Sequence, residues 1–265
     1  MKKSLIFVLI CFTSCMNPAE DGMDAFEKGD FKNAIKFYQQ SLVHNPNNVS
    51  YHYNLARSFE EMEMYKEAIT EFTWVATYSP NPSKALLGRG RCYWGLEDFE
   101  SAELDFTNVL RVSPENFNAF YLRGKVRIKL WDFYAAYEDL ENAVKLNPNH
   151  ELVFYYRGVA RGQIGILQGA INDFNHVLNF RPNMIQALYN RGICYQRGRR
   201  YNHAIADFTQ VLSIDNSKLE SMWRRGACYM LLRDNNSACR DFEKALTLGY
   251  DPSVPFHLRI CNLRI

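Results

Sequence analysis

The sequence has no surplus of charge of either sign. Its 31 lysines and arginines stand against 29 aspartates and glutamates, and Lys2 and Lys3 are the only charged residues before Cys15, so the chain beyond them is formally neutral. Binding nucleic-acid phosphates needs a basic excess, so nucleic acid is not expected as a partner. Long hydrophobic runs are missing as well. The apolar run from Leu5 to Phe12 is far too short to cross a bilayer as a helix. The six histidines, at 44, 52, 150, 176, 203 and 257, make no close pair at metal-ligand spacing, and no phosphate loop, nucleophile elbow or dinucleotide fingerprint occurs. No catalytic residue, metal, cofactor or small-molecule substrate is therefore expected. Gly162, Gly165 and Gly169 share the spacing of a phosphate loop only loosely. They follow no strand and read as a soft turn.

What the sequence has instead is a period. Alanine recurs every thirty-four residues at Ala34, Ala68, Ala102, Ala136, Ala170, Ala204 and Ala238. Proline falls at 46, 80, 114, 148 and 182, and a small residue at 22, 56, 90, 124, 158, 192 and 226. Placing the alanine at position 20 divides the chain into units 15–48, 49–82, 83–116, 117–150, 151–184, 185–218 and 219–252. Each unit reads as two helices. In the third, the first helix is expected from about Lys84 to Gly95 and the second from Phe99 to Val112, where Pro114 stops it. The Pro-Asn steps, as at Pro46-Asn47 and Pro148-Asn149, combine a helix stop with an asparagine able to cap the next helix. The small residue at position 8 and the alanine at 20 allow close backbone approach. The aromatic at 24, as in Phe72, Phe106, Phe174, Phe208 and Phe242, fills what remains. No unit can bury its apolar faces alone, so stability is expected from stacking along one continuous array.

Small-x2-aromatic, then Ala, aromatic and Pro at positions 20, 24 and 32, resembles the tetratricopeptide repeat, over residues 15–252. The resemblance implies an all-α, right-handed superhelical solenoid of helix pairs whose first helices line a concave groove that binds another protein, typically as an extended segment. The last two units depart from it, with Asn216 and Tyr250 in place of proline. Position 7, usually leucine in the family, is arginine in five units.

Those arginines, Arg89, Arg123, Arg157, Arg191 and Arg225, are matched by Asp105, Asp139, Asp173, Asp207 and Asp241 at position 23 of the same units. The two sets appear and vanish together, since the second unit has Leu55 with Glu71. A ladder of structural ion pairs, within or between units, is expected, with a functional anion-binding row as the alternative. Carrying the family's groove positions onto this chain gives Tyr53, Arg57, Arg91, Trp94, Tyr121, Lys125, Tyr155, Tyr189 and Trp223 as candidate peptide-binding residues. Rows of tyrosine and tryptophan offer rigid, amphipathic contact area. The same rings could instead pack between neighbouring first helices.

The N-terminus reads as a secretion signal over 1–14: Lys2 and Lys3, an apolar stretch, then small residues. Phe12-Thr13-Ser14-Cys15 resembles the lipobox of bacterial lipoproteins, which implies lipidation at Cys15 and a chain exported and anchored to a bacterial membrane, the outer one favoured. An ordinary cleaved signal and a soluble periplasmic or secreted chain is the alternative. Five cysteines follow Cys15, at 92, 194, 228, 239 and 261. Their odd number without framework spacing points to mostly free buried thiols, with a Cys228–Cys239 or Cys239–Cys261 bridge as the alternative. Residues 253–265 are expected to cap the last unit. The chain is thus expected to be a lipid-anchored, non-enzymatic interaction scaffold. Its competitor is a self-associating repeat protein whose groove holds its own or a neighbour's C-terminal tail.

Overall fold

The computed structural model of this protein describes residues 18–251 and Cys261. The signal segment 1–14 with Cys15, and all of the 253–265 capping segment except Cys261, lie outside the described residues. The described residues form fourteen α-helices and no strand. They fall into two compact units divided between Pro114 and Glu115, two residues before the end of the third repeat, and the sequence repeat runs through this division unchanged.

The first unit holds α1 (Pro18–Glu27), α2 (Phe31–His44), α3 (Val49–Glu61), α4 (Tyr65–Tyr78), α5 (Ser83–Gly95) and α6 (Phe99–Val112). The second holds α7 (Phe117–Lys129), α8 (Phe133–Leu146), α9 (Glu151–Gln163), α10 (Leu167–Phe180), α11 (Ile185–Arg197), α12 (Tyr201–Ile214), α13 (Leu219–Leu231) and α14 (Asn235–Thr247). Odd-numbered elements are the first helices of the repeats and even-numbered ones the second. Within each unit every helix packs on the next, and the first helices α7 and α9, and α9 and α11, also touch.

The periodic residues explain this packing. All seven position-20 alanines are buried. A Cβ added at Gly90 would stand 2.6 Å from the Phe106 ring, at Gly158 2.9 Å from Phe174, at Gly192 2.8 Å from Phe208 and at Gly226 2.8 Å from Phe242. The position-8 glycine is therefore the seat of the position-24 ring of its own repeat, and those rings are fully buried. Burial of each ring contributes roughly 1.5–3 kcal/mol.

The turn between the two helices of a repeat is closed the same way seven times. Position 15 takes a left-handed conformation, at Gly29, Glu63, Glu97, Trp131, Gly165, Arg199 and Arg233. The next residue's N–H then donates back to the first helix, as Asp98 N–H does to Tyr93 O at 2.9 Å. This is a Schellman closure, which usually takes glycine, yet five of the seven residues carry side chains. Among the three glycines that resemble a phosphate loop, only Gly165 sits at the turn; Gly162 lies in α9 and Gly169 in α10. Asp30, Asp98, Asp132 and Asp234 then cap the second helices through their carboxylates. The first helices differ from the sequence expectation. Asn48 and Asn116 cap α3 and α7, one residue later than the Pro-Asn steps suggest, while His150 and Met184 precede α9 and α11 without side-chain caps. Among the Pro-Asn asparagines, Asn81 accepts from Ser83 N–H at 3.1 Å.

The cysteines divide between the two expected arrangements. Cys92, Cys194 and Cys228, all at position 10 of a first helix, are free and buried, and Cys239 in α14 is disulfide-bonded to Cys261. Cys261 packs against the apolar cluster of the last repeat around Met222, Trp223 and Phe242.

Candidate functional site

The first-helix side chains form two patches, one in each unit. In the first unit the rings and guanidinium groups are largely engaged. Tyr53 lies edge-on to Phe72 with centroids 5.9 Å apart, and the Arg57 guanidinium sits 4.4 Å over the Phe26 ring. Arg91 makes a two-pronged pair with Glu60, at 2.6 and 2.9 Å, which offsets its charge. Trp94 packs edge-on against Phe99.

In the second unit Tyr121, Tyr155 and Tyr189 are half-buried along α7, α9 and α11. The Tyr121 ring stacks on Phe117 and meets His150 and Tyr156, and Lys125 Nζ lies 5.5 Å from its centroid and 5.3 Å from that of Tyr156. Burial lowers the Lys125 ammonium from its ordinary range, and it is the chief cause that raises the Tyr121 phenol. Tyr155 Oη accepts from Asn190 Nδ2 at 3.3 Å, and Tyr189 Oη from Arg224 Nε at 2.8 Å. Both donors sit at position 6 of the following repeat. Tyr155 and Tyr189 therefore stitch neighbouring first helices with their tips, and all three rings keep part of their surface exposed. Trp223 is a correction to the sequence reading. Only 7% exposed, it packs on Phe242 at 4.5 Å and on Tyr250, so it belongs to the core of the last repeat and is absent from the accessible patch.

Between α9 and α11 the surface dips into a niche of about 40 Å³ lined by Gly158, Val159, Gly162, Asn190, Ile193 and Arg197, among others. Position 12 carries a bulky side chain in other repeats, such as Trp94 or Met230; Gly162 leaves it empty. Arg197 donates to the carbonyl of the buried Gly162, which puts a cation at the rim of a mostly apolar dent.

Beneath this face runs the arginine–aspartate ladder. Each pair is two-pronged and internal to its repeat: Arg89–Asp105 at 2.8 and 2.6 Å, Arg123–Asp139 at 2.9 and 2.7 Å, Arg191–Asp207 at 2.9 and 2.6 Å, and Arg225–Asp241 at 2.8 and 2.7 Å. Arg157–Asp173, at 3.1 and 2.6 Å, completes the set. The remaining nitrogen reaches back to position 25 of the preceding repeat: Arg89 to Thr73, Arg157 to Glu141, Arg191 to Asn175 and Arg225 to Thr209. The ladder thus has rungs within repeats and links between them. Arg161 adds a second guanidinium to the buried Asp173 carboxylate and also pairs with Glu141. In the second repeat, where position 7 is Leu55, Glu71 pairs with His52 instead, and Trp74 stacks on that ring at 3.8 Å.

No group of three His, Cys, Asp or Glu side chains among the described residues could hold a metal ion, and none of their helices is long and apolar enough to cross a membrane. The fold defines the class: a protein built of stacked helix pairs whose first helices present a surface within each unit. Sequence models described as TPR repeat or tetratricopeptide repeat match residues 22–63, 53–106, 117–150 and 185–218, together more than half of the chain. The chain belongs to the tetratricopeptide-repeat family. No curated protein matches it. Among solved structures it is similar to a tetratricopeptide repeat protein from Parabacteroides merdae, at 21% identity over 92% of this chain and 96% of that one, with a TM-score of 0.64. It is also similar to YrrB, a TPR protein with an unusual peptide-binding site, at 23% identity over 70% of this chain and 95% of YrrB, TM-score 0.63. MamA from Desulfovibrio magneticus is similar at 19% identity over 63% and 94% of the two chains, TM-score 0.60. At these identities the likeness establishes the fold.

Proposed function

We propose that this protein is a non-enzymatic interaction scaffold that binds an extended segment of another protein along the first helices of its second unit. The observation that carries the reading is the row Tyr121, Tyr155 and Tyr189 beside Lys125 and the Gly162 niche. The row combines part-exposed rings, two of them bonded at their tips to the next repeat, one desolvated cation, and one dent able to take a small apolar side chain. Pre-ordered rings lose little entropy on binding, and extended peptides are recognised through such alternating anchors. That YrrB carries a peptide-binding site on the same fold supports the reading.

In this proposal the chain is exported and held on a bacterial membrane, the outer one favoured, by lipid on Cys15. The Cys239–Cys261 disulfide supports an oxidising compartment, where such bonds persist. It also weighs against the competing reading in which the chain's own tail fills its groove, because residue 261 is held against α14, a second helix. A neighbour's tail remains the competitor. The test is a crosslinking pull-down from native envelopes with the intact chain and a Lys125→Glu/Val159→Glu variant of verified fold. Loss of one partner from the variant supports the proposal, and an unchanged partner set moves binding off this face. Cys15→Ser should release the protein from the membrane fraction; full retention would remove the anchor from the account.

A further inference from the structure

The turns between first and second helices give each unit an edge of its own, and the two edges differ in charge. Across positions 13–18, the first unit carries Glu27, Asp30, Glu61, Glu63, Glu97, Asp98 and Glu100 against three lysines, whereas the second carries Lys129, Arg197, Arg199, Arg200 and Arg233 against Asp132 and Asp234. Both of those aspartates are engaged as helix caps. An overall neutral chain therefore concentrates a net charge of +3 on the turn edge of repeats four to seven, five basic less two acidic residues.

The same edge holds the most exposed large rings of the second unit. Trp131 is 78% exposed and Tyr134 71%, and Ile166, Leu231 and Leu232 are each more than 40% exposed. Trp131 occupies the left-handed turn position, with φ of 62°, where a bulky side chain is costly and glycine serves in other repeats. That conformation pushes the indole outward, edge-on to Phe133. The guanidinium groups of Arg199 and Arg233 make no ion pair among the described residues. Arg200 rests 4.7 Å over the Tyr195 ring and bonds only the neutral Gln168. Because the helix pairs of this unit stack in register, the apolar and basic side chains share one edge.

We propose that the turn edge of repeats four to seven docks on an anionic lipid surface, with Trp131 and Tyr134 seated among the headgroups and Arg199, Arg200 and Arg233 on the phosphates. The chemistry favours lipid over an acidic protein. The exposed rings are the two amphipathic types that settle at a membrane interface; they stand at the turn of the fourth repeat, and the arginines follow on the same edge at the turns of the sixth and seventh. The inference does not rest on the groove reading or on lipid at Cys15, since Trp131, Tyr134, Arg199, Arg200 and Arg233 belong to neither.

The test uses the full chain carrying Cys15→Ser, so that no lipid is attached, and vesicles of phosphatidylcholine with or without phosphatidylglycerol, both with brominated acyl chains. Bromine quenches only tryptophans that enter the interface, and the segment before Pro18 contains none. The expected result is quenching on the anionic vesicles, its loss in Trp131→Phe, and about a hundred-fold weaker partition for Arg199→Gln/Arg200→Gln/Arg233→Gln. Quenching that survives Trp131→Phe, equal quenching on purely zwitterionic vesicles, or no quenching at all would each overturn the proposal. Capture of an acidic protein through the three arginines without quenching would overturn it too, and would assign the edge to that protein.

Discussion

Arg157 holds Asp173 with two hydrogen bonds inside the fifth repeat, while its third nitrogen reaches Glu141 in the fourth. One side chain thus closes a helix pair and ties that pair to its neighbour. The carboxylate it serves is almost fully buried, and burial pushes that carboxyl up even against the pull of Arg157 and Arg161. Removing the arginine alone leaves a buried charge short of a partner. Arg157→Leu is expected to cost about 3–5 kcal/mol in chemical denaturation, and adding Asp173→Leu should recover most of the loss. A double variant no better than the single one would show that the pair acts through something other than charge compensation.

The seat of the Phe208 ring has room for hydrogen only. Gly192→Ala puts a methyl 2.8 Å from that fully buried ring and should cost about 1–3 kcal/mol, while Phe208→Leu in the same background should return part of it. Independent, additive effects in the thermal melts would refute the close approach.

Burial raises the Cys92 thiol from an ordinary 9.0 to about 12, and the Cys194 and Cys228 thiols to about 11. In the unfolded chain these thiols ionise near their ordinary value. The stability they provide is complete below pH 9.0 and is lost as pH rises toward 11 to 12, on the order of 1–3 kcal/mol per thiol. The Tyr155 phenol, raised to about 12, adds in the same direction. Denaturant midpoints should therefore fall steadily above pH 9.0, and native thiols should resist alkylation at pH 8. Rapid labelling of all three in the folded protein would contradict this.

The Cys239–Cys261 bridge closes a 22-residue span at the end of the array. Reduction by a dithiol should lower stability by up to about 3 kcal/mol. In a quasi-one-dimensional stack the effect should concentrate in α13 and α14. Hydrogen exchange before and after reduction checks both points, and loss spread evenly over α7 to α14 would argue for a single cooperative unit.

The repeat register, the helix bounds and the pairing of position 7 with position 23 were legible in the sequence because each rests on one residue type recurring at a fixed spacing. What escaped it depends on particular neighbours. The polar residue at position 25 that receives each arginine's last nitrogen varies among Thr73, Glu141, Asn175 and Thr209, so no single letter marks it. Glu97 and Arg199 occupy a left-handed turn that glycine would have announced. Trp223 shares its register position with Tyr155 but is buried, because Tyr250 covers it. The pairing of Cys239 with Cys261 depends on Cys261 lying against the last repeat, which spacing alone left open.

The central claim is that a partner segment lies along the first helices of the second unit. Its most direct test places a photo-activated crosslinking residue at Val159 or Ile193, beside the Gly162 niche, and as controls at Glu138 or Asn172, exposed on the second helices. The account predicts adducts in cells from the first two sites alone, mapping by mass spectrometry to one contiguous stretch of another protein. Adducts from the second-helix sites instead, or only to residues 252–265 of a second copy of this chain, would contradict it.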